Sequence, residues 1–433
     1  MRKASLYFMI CLFYLSCKKE EVVIVTPATT QTIIQLNIDQ VINDSTIVLK
    51  WSKYTGDNFQ KYRLVRTATY LKNGLFESFA EPVDSSKDVN HLSFTESNMP
   101  LARDIYYNLY ISKDTTQING GFQQVASVFY QRPNSLVYGI PMDVLINKQQ
   151  QRLYILEQNE ITLVDYTNGR PVRSKEFPVS IGFCSLGDFN GNTELYVPVN
   201  DGWVQILDAT TLQVKDRIYV AGYGIGSVVA ANEKLYVSSS DMTQGGYSNC
   251  IKIYDRATKS VIGRTGYWSQ TRLLQLEGTS VEIIDLSINL IPTDLSYYQF
   301  SPSGMLITKK QDTYHGDFSM NASVVRSFPD GSKFITSSSG TIFHKSLIFD
   351  RHVNQYGNYS DFAFNNDGST IYAAIGSQKK IDAITYPALS NIRSYSTSFY
   401  PYKIFRDGNT MICISKTYTF QQMTYLLIEK ITL

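Results

Sequence analysis

The most metal-like string in this 433-residue chain is GDFNGNTEL, residues 187–195. Asp188, Asn190 and Asn192 alternate as oxygen donors around Gly191, with Glu194 beyond. Calcium takes six or more oxygens from such a loop. Here the third donor is neutral and no acid stands at the closing position, so a tight Asn-Gly hairpin is the favoured reading. No metal and no cofactor is expected. Patterns of the form GxSxG, HExxH or a phosphate-binding Walker loop do not occur. The four histidines are His91, His315, His344 and His352, and the spacing of the last two suggests no shared metal. Gly222, Gly224 and Gly226 in AGYGIGS lack the third-glycine position and the following helix of a dinucleotide site, so they read as a loop. Cys184, Cys250 and Cys413 are widely spaced, which leaves one disulfide or buried thiols both open.

Composition bounds what remains. Hydrophobic residues are 43% and charged residues 18%, a globular balance, and the length allows two or three domains. The 31 tyrosines, with many Thr and Val, favour pleated surfaces and an all-β chain. A net charge of +2, from 40 basic and 38 acidic residues, gives no basic stripe and no nucleic-acid partner.

The N-terminus reads as an address. Arg2 and Lys3 precede an apolar run from Leu6 to Leu15, then Ser16 and Cys17. This order resembles a bacterial lipoprotein signal, residues 1–16, with Cys17 as the lipidated residue. The following CKKEE resembles the charged tag of Bacteroidota-type surface lipoproteins. The resemblance implies an outer-membrane, lipid-anchored protein facing the cell exterior. An ordinary secretory signal or an uncleaved anchor is the other reading. Residues 17–32 read as a flexible tether.

Residues 33–132 alternate with period two. Ile105, Tyr107, Leu109 and Ile111 fall on one face of a predicted strand. The strand ending at Trp51, the KYRLVR strand and the YYNLYIS strand together resemble a fibronectin type III domain. That resemblance implies core positions for Trp51 and Tyr62 and a corner role for Tyr107. The stretch from Leu71 to Asn90 reads as a long loop.

From residue 133 to 433 a unit recurs. LY-initiated strands start at Leu153, Leu195 and Leu235, and equivalent apolar starts stand at Phe334, Ile371 and Met411. The gap before Phe334 holds a further unit predicted as four strands. Seven units with a period near 40 predict a seven-bladed β-propeller, and they resemble the YVTN type. The last unit has room for three strands, so its fourth is expected from Ser135 to Tyr138. Pro198 inside LYVPVN, read as an inner strand, predicts a bulge.

The loops between units carry aromatics: Tyr138, Phe183, Tyr223, Tyr267, Trp268, Phe318, Tyr359, Tyr400 and Tyr402. Their polar neighbours include Asp143, Ser269, Gln270, Asn321, Asp361 and Lys403. Wedging between blades is the first reading. A ligand-binding ring of Tyr223, Tyr267, Trp268, Tyr359 and Tyr400 is the second, suited to a glycan or a surface-protein partner. The leading functional expectation is a lipid-anchored binding or scaffold protein, in the setting of a nutrient-uptake complex. A propeller enzyme of lactonase or lyase type, and a structural envelope component, are the alternatives.

Overall fold

The computed structural model describes residues 33–72, 75–102, 104–113, 121–132, 136–220, 224–240, 249–278, 281–288, 290–314, 316–417 and 425–433. Cys17, Tyr223 and His315 lie outside them, as does the side chain of Tyr138. Among the described residues the chain is all-β, and no helix is long and apolar enough to cross a membrane.

The N-terminal part is two sheets on one core. A three-stranded sheet is built from Leu36–Asn43, Thr46–Trp51 and Ser93–Glu96. A four-stranded sheet pairs Leu75–Ser86, Phe59–Lys72, Asp104–Lys113 and Phe122–Gln131 in that spatial order. The expected long loop is therefore mostly strand. Its ladder runs from Tyr62↔Ser86 to Lys72↔Leu75 and makes a long hairpin. Alternation puts Trp51, Tyr62, Leu64, Ile105, Tyr107 and Leu109 into the shared core. Tyr107 gives its hydroxyl proton to Glu96, which also pairs with Arg66, so the tyrosine is tied to a side chain rather than to a corner backbone.

Seven four-stranded antiparallel sheets follow, here called sheets 1 to 7. Their first strands are Asp143–Asn147, Ser185–Phe189, Ile225–Ala231, Thr271–Gln275, Val325–Ser327, Tyr359–Phe364 and Tyr400–Asp407. Sheets 1 to 6 are simple meanders. In sheet 7 the fourth place is taken by Val137–Tyr138, which pairs with Tyr425–Thr432 through Leu426↔Val137 and Tyr425↔Tyr138. The segment expected to supply that strand supplies it.

The LY signature marks second strands rather than first ones: Leu153, Leu195 and Leu235 all lie one strand out. Tyr154, Tyr196 and Tyr236 are buried there, and Tyr154 reaches the Ala209 carbonyl of the next sheet at 2.8 Å. The Asp-x-x-Thr turns are local caps. Asp208 accepts from the backbone of Thr210 and Thr211 and from both hydroxyls, and Asp255 accepts from Thr258 in the same way.

Pro198 needs no bulge, which corrects the expectation. It pairs in register with Val204, and its carbonyl takes the Gly182 amide at 2.8 Å. Its nitrogen faces the same side, where the neighbouring strand has not yet begun at Ser185. No ladder partner asks for the missing N–H there.

Packing between sheets is sequential and returns to its start. Seven apolar clusters each join two consecutive sheets. The one containing Val144, Leu153, Phe405, Ile412 and Leu426 joins sheet 7 to sheet 1. A smaller cluster of Leu101, Phe399, Tyr425 and Leu427 docks the N-terminal sandwich on sheet 7. The Arg132 guanidinium lies 5.4 Å from the centre of the Phe399 ring at this junction.

Candidate functional site where the first strands converge

Five first strands follow one local rule. Asp143, Arg272, Arg326, Asp361 and Lys403 each stand next to an apolar residue of an inter-sheet cluster: Val144, Leu273, Val325, Phe362 and Ile404. Strand alternation then turns the charged side chain away from the cluster, toward a common centre.

There the charges meet. Arg272 Nη2 is 2.7 Å from Asp143 Oδ2, although 129 residues separate them, and Nη1 donates to the Ala322 carbonyl at 2.7 Å. The guanidinium stands 4.2 Å from the centre of the Phe183 ring. Lys403 Nζ donates to the Ser323 carbonyl at 2.8 Å and lies 3.3 Å from Asp143 Oδ1. Arg326 forks onto Asp361 through Nε at 2.9 Å and Nη2 at 2.7 Å. Asp361 Oδ2 also takes the Ile404 amide at 2.9 Å.

The electrostatics follow from burial against pairing. For Asp143, burial pushes the pKa up, but Arg272, Lys403 and Arg326 outweigh it and hold the carboxyl below its usual value. Burial lowers Lys403 and Arg272 despite their carboxylates. Arg326 ends raised, because Asp361 overcomes its burial. Tyr402, half-buried beside Asp143 and Asp361, is pushed well up by desolvation and by those carboxylates, and its hydroxyl donates to the Pro141 carbonyl at 2.8 Å. A carboxylate held ionised against three cations is a poor proton shuttle near neutrality. This hub is suited to holding strands together.

The two ends of the first strands differ. At their starts lie the loop aromatics. Tyr267 is partly buried, with Lys309 Nζ 4.6 Å from its ring centre. Trp268 is partly buried and its Nε1 has no partner among the described residues. Tyr400 is partly buried, whereas Tyr359 is 7% exposed and packs against Phe362. Phe318 stacks on Phe349 at 4.2 Å. Tyr359 thus serves packing alone, while Phe183, Phe318, Tyr267, Trp268 and Tyr400 are partly buried and keep some accessible area.

At the strand ends lies a cavity of about 440 Å3, lined among others by Lys148, Glu277, Arg326, Asn366 and Arg406. Arg326 and Arg406 escaped the sequence reading. The signal was present in a charged residue at the same place in successive units, but it shows only once the units are aligned on their first strands.

The metal-like string is a hairpin. Asn190 and Gly191 have φ of 49° and 74° between the paired Phe189 and Asn192. Asp188 accepts from Thr193 Oγ1 at 2.8 Å, and Asn192 Nδ2 donates to the Asn190 carbonyl. Among the described residues no group of acids, His and Cys is arranged to hold a metal. Cys184, Cys250 and Cys413 are all buried, and Cys184 and Cys413 are free thiols. His344 and His352 sit on different strands, and His352 Nδ1 lies 3.2 Å from Thr341 Oγ1.

No protein-family model and no curated protein matches the chain. Among solved structures it is similar to Kuenenia stuttgartiensis hydrazine synthase, at 14% identity and a TM-score of 0.48. The similarity covers 68% of this chain and 95% of that one.

Proposed function

We propose that this chain is a lipid-anchored, surface-exposed binding protein. In this reading residues 33–132 form a fibronectin type III-like spacer, and the seven sheets form a closed seven-bladed propeller of YVTN type. Sequential packing that returns from sheet 7 to sheet 1 supports closure. Closure removes the exposed sheet edges around the centre and leaves a rigid platform.

The observation that carries the functional reading is the partial exposure of Tyr267, Trp268 and Tyr400 at one end of first strands locked by ion pairs. Flat rings with polar neighbours such as Ser269 suit a glycan, which stacks an apolar sugar face and hydrogen-bonds at its rim. A glycan screen of residues 33–433, with and without Trp268→Ala, tests this. Binding that disappears in the variant supports it. Binding only to surface proteins, or to nothing, removes the glycan reading.

The anchor is tested separately. Cys17→Ala moves the protein from the membrane to the soluble fraction. A variant still membrane-bound, with an unchanged mature N-terminus, ends the lipoprotein reading. A single acyl chain anchors weakly, so stable attachment through Cys17 calls for more than one.

A further inference from the structure

We propose that the opposite mouth of the propeller, where the first strands end, binds a small acidic sugar through its carboxylate. The site is distinct from the aromatic loops, and the inference does not depend on what those loops bind. Its cavity of about 440 Å3 falls within the roughly 300–1,000 Å3 typical of small-ligand pockets.

Three cations line it, Lys148, Arg326 and Arg406, against one lining carboxylate, Glu277. Two of the cations have donors to spare. Arg326 uses Nε and Nη2 on Asp361, and no hydrogen bond among the described residues uses Nη1. Arg406 Nη1 donates to Asn366 Oδ1, while its Nε is buried without a partner among the described residues. A buried donor left unmade costs free energy that an incoming acceptor recovers.

The acids in the surrounding turns do not line the cavity. Asp330 accepts from Ser332, Asp367 from Ser369, and Asp407 from Tyr166. Asp361 lies behind Arg326 and neutralises one charge. Among the lining groups and the one acid paired with them, Lys148, Arg326 and Arg406 set against Glu277 and Asp361 leave one positive charge in excess. That matches a monoanionic carboxylate better than a dianionic phosphate. Asn366 Nδ2 remains to donate to a hydroxyl, and Ile404 and Phe405 supply apolar wall for a sugar ring.

Isothermal titration of residues 33–433 with D-glucuronate, its methyl ester, D-glucose and inorganic phosphate tests the site. The expected result is glucuronate binding with a dissociation constant of roughly 1 mM or tighter. It weakens with added salt, and the ester, glucose and phosphate bind at least about tenfold more weakly. Arg406→Gln lowers glucuronate affinity about tenfold or more, and the exposed Lys148→Gln lowers it by roughly threefold. If Arg406→Gln shifts the melting temperature, Lys148→Gln decides. Equal binding of glucose and glucuronate overturns the proposal. So does tighter binding of phosphate, an unchanged affinity in both variants, or no binding by the parent protein.

Discussion

The N-terminal sandwich and the seven-sheet body solve the same burial problem differently. The sandwich has one apolar core, from Ile34 and Trp51 through Tyr62 to Tyr130. Its buried carboxylate, Glu96, is held within the same domain by Arg66 and Tyr107. The body has no single core. It divides its apolar surface among seven clusters, each shared by two sheets. At its centre it puts charge, with Asp143 bound by groups from sheets 4 and 7. A sandwich is therefore local in its dependence, whereas each sheet of the body depends on two neighbours and on the last strand returning to the first.

The severest test of that contrast removes the closing strand. Deleting Tyr425–Leu433 takes away the pairing with Val137–Tyr138 and the apolar groups Leu426, Leu427 and Ile428. The body should lose its cooperative transition as a unit while the sandwich keeps its own. Calorimetry of the truncated protein reads this directly. A truncated protein that retains the full body transition would show the sheets to be independent.

Next in size is the hub. Asp143→Ala leaves Lys403 and Arg272 buried without their shared carboxylate. Breaking a buried pair from one side costs about 3–5 kcal/mol. Denaturant titration should show that loss in the body and no change in the sandwich. A change below about 1 kcal/mol would mean that water reaches the hub freely.

A third test uses pH. Asp285 lies on Val281–Ser287 of sheet 4, fully buried, with Oδ1 unpartnered among the described residues. Tyr298 donates to its other oxygen at 3.3 Å. Burial raises its pKa to about 7, and the nearby Asp312 adds to the rise. The folded state thus holds a proton that the unfolded chain releases near its ordinary value of about 3.9. Stability is complete below that value and falls as pH rises toward about 7. Asp285→Asn removes the penalty. It should raise stability by about 1–3 kcal/mol at pH 8 and leave it unchanged near pH 4. A variant less stable at pH 8 would show that the carboxylate has a partner there.

The same contrast explains what was legible in the sequence. Alternation at Ile105, Tyr107, Leu109 and Ile111 identified the sandwich strand, because one face meets one core. The LY repeats were visible because every second strand is buried on both sides, but this made them look innermost. Asp143, Asp361 and Lys403 were noticed as polar neighbours of aromatics, while Arg272 and Arg326 were not. Pairs separated by 129 residues leave no local trace, and only the repeat register brings them together. Tyr359 was indistinguishable from Tyr267 and Trp268 by position, because exposure depends on what the next sheet places over the ring.

The smallest expected effect on stability, and the most informative for function, is at Trp268. The sandwich tryptophan, Trp51, is 4% exposed and meets Tyr62 edge-on at 5.9 Å. Trp51→Ala should cost about 3–5 kcal/mol, as for other buried aromatics. Trp268 keeps accessible area and sits in a loop before Thr271–Gln275, with Gly266 at φ 124° just ahead of it. Its ring is only partly buried, so truncation removes less packing than at Trp51, and the backbone path set by Gly266 remains. Trp268→Ala should therefore weaken glycan binding by about 1–3 kcal/mol while changing unfolding free energy by less than about 1 kcal/mol. Paired denaturant and binding titrations on the two tryptophan variants separate the cases. If Trp268→Ala destabilises the body as strongly as Trp51→Ala destabilises the sandwich, the ring is a wedge between sheets 3 and 4. The loop aromatics would then belong to the packing that closes the body.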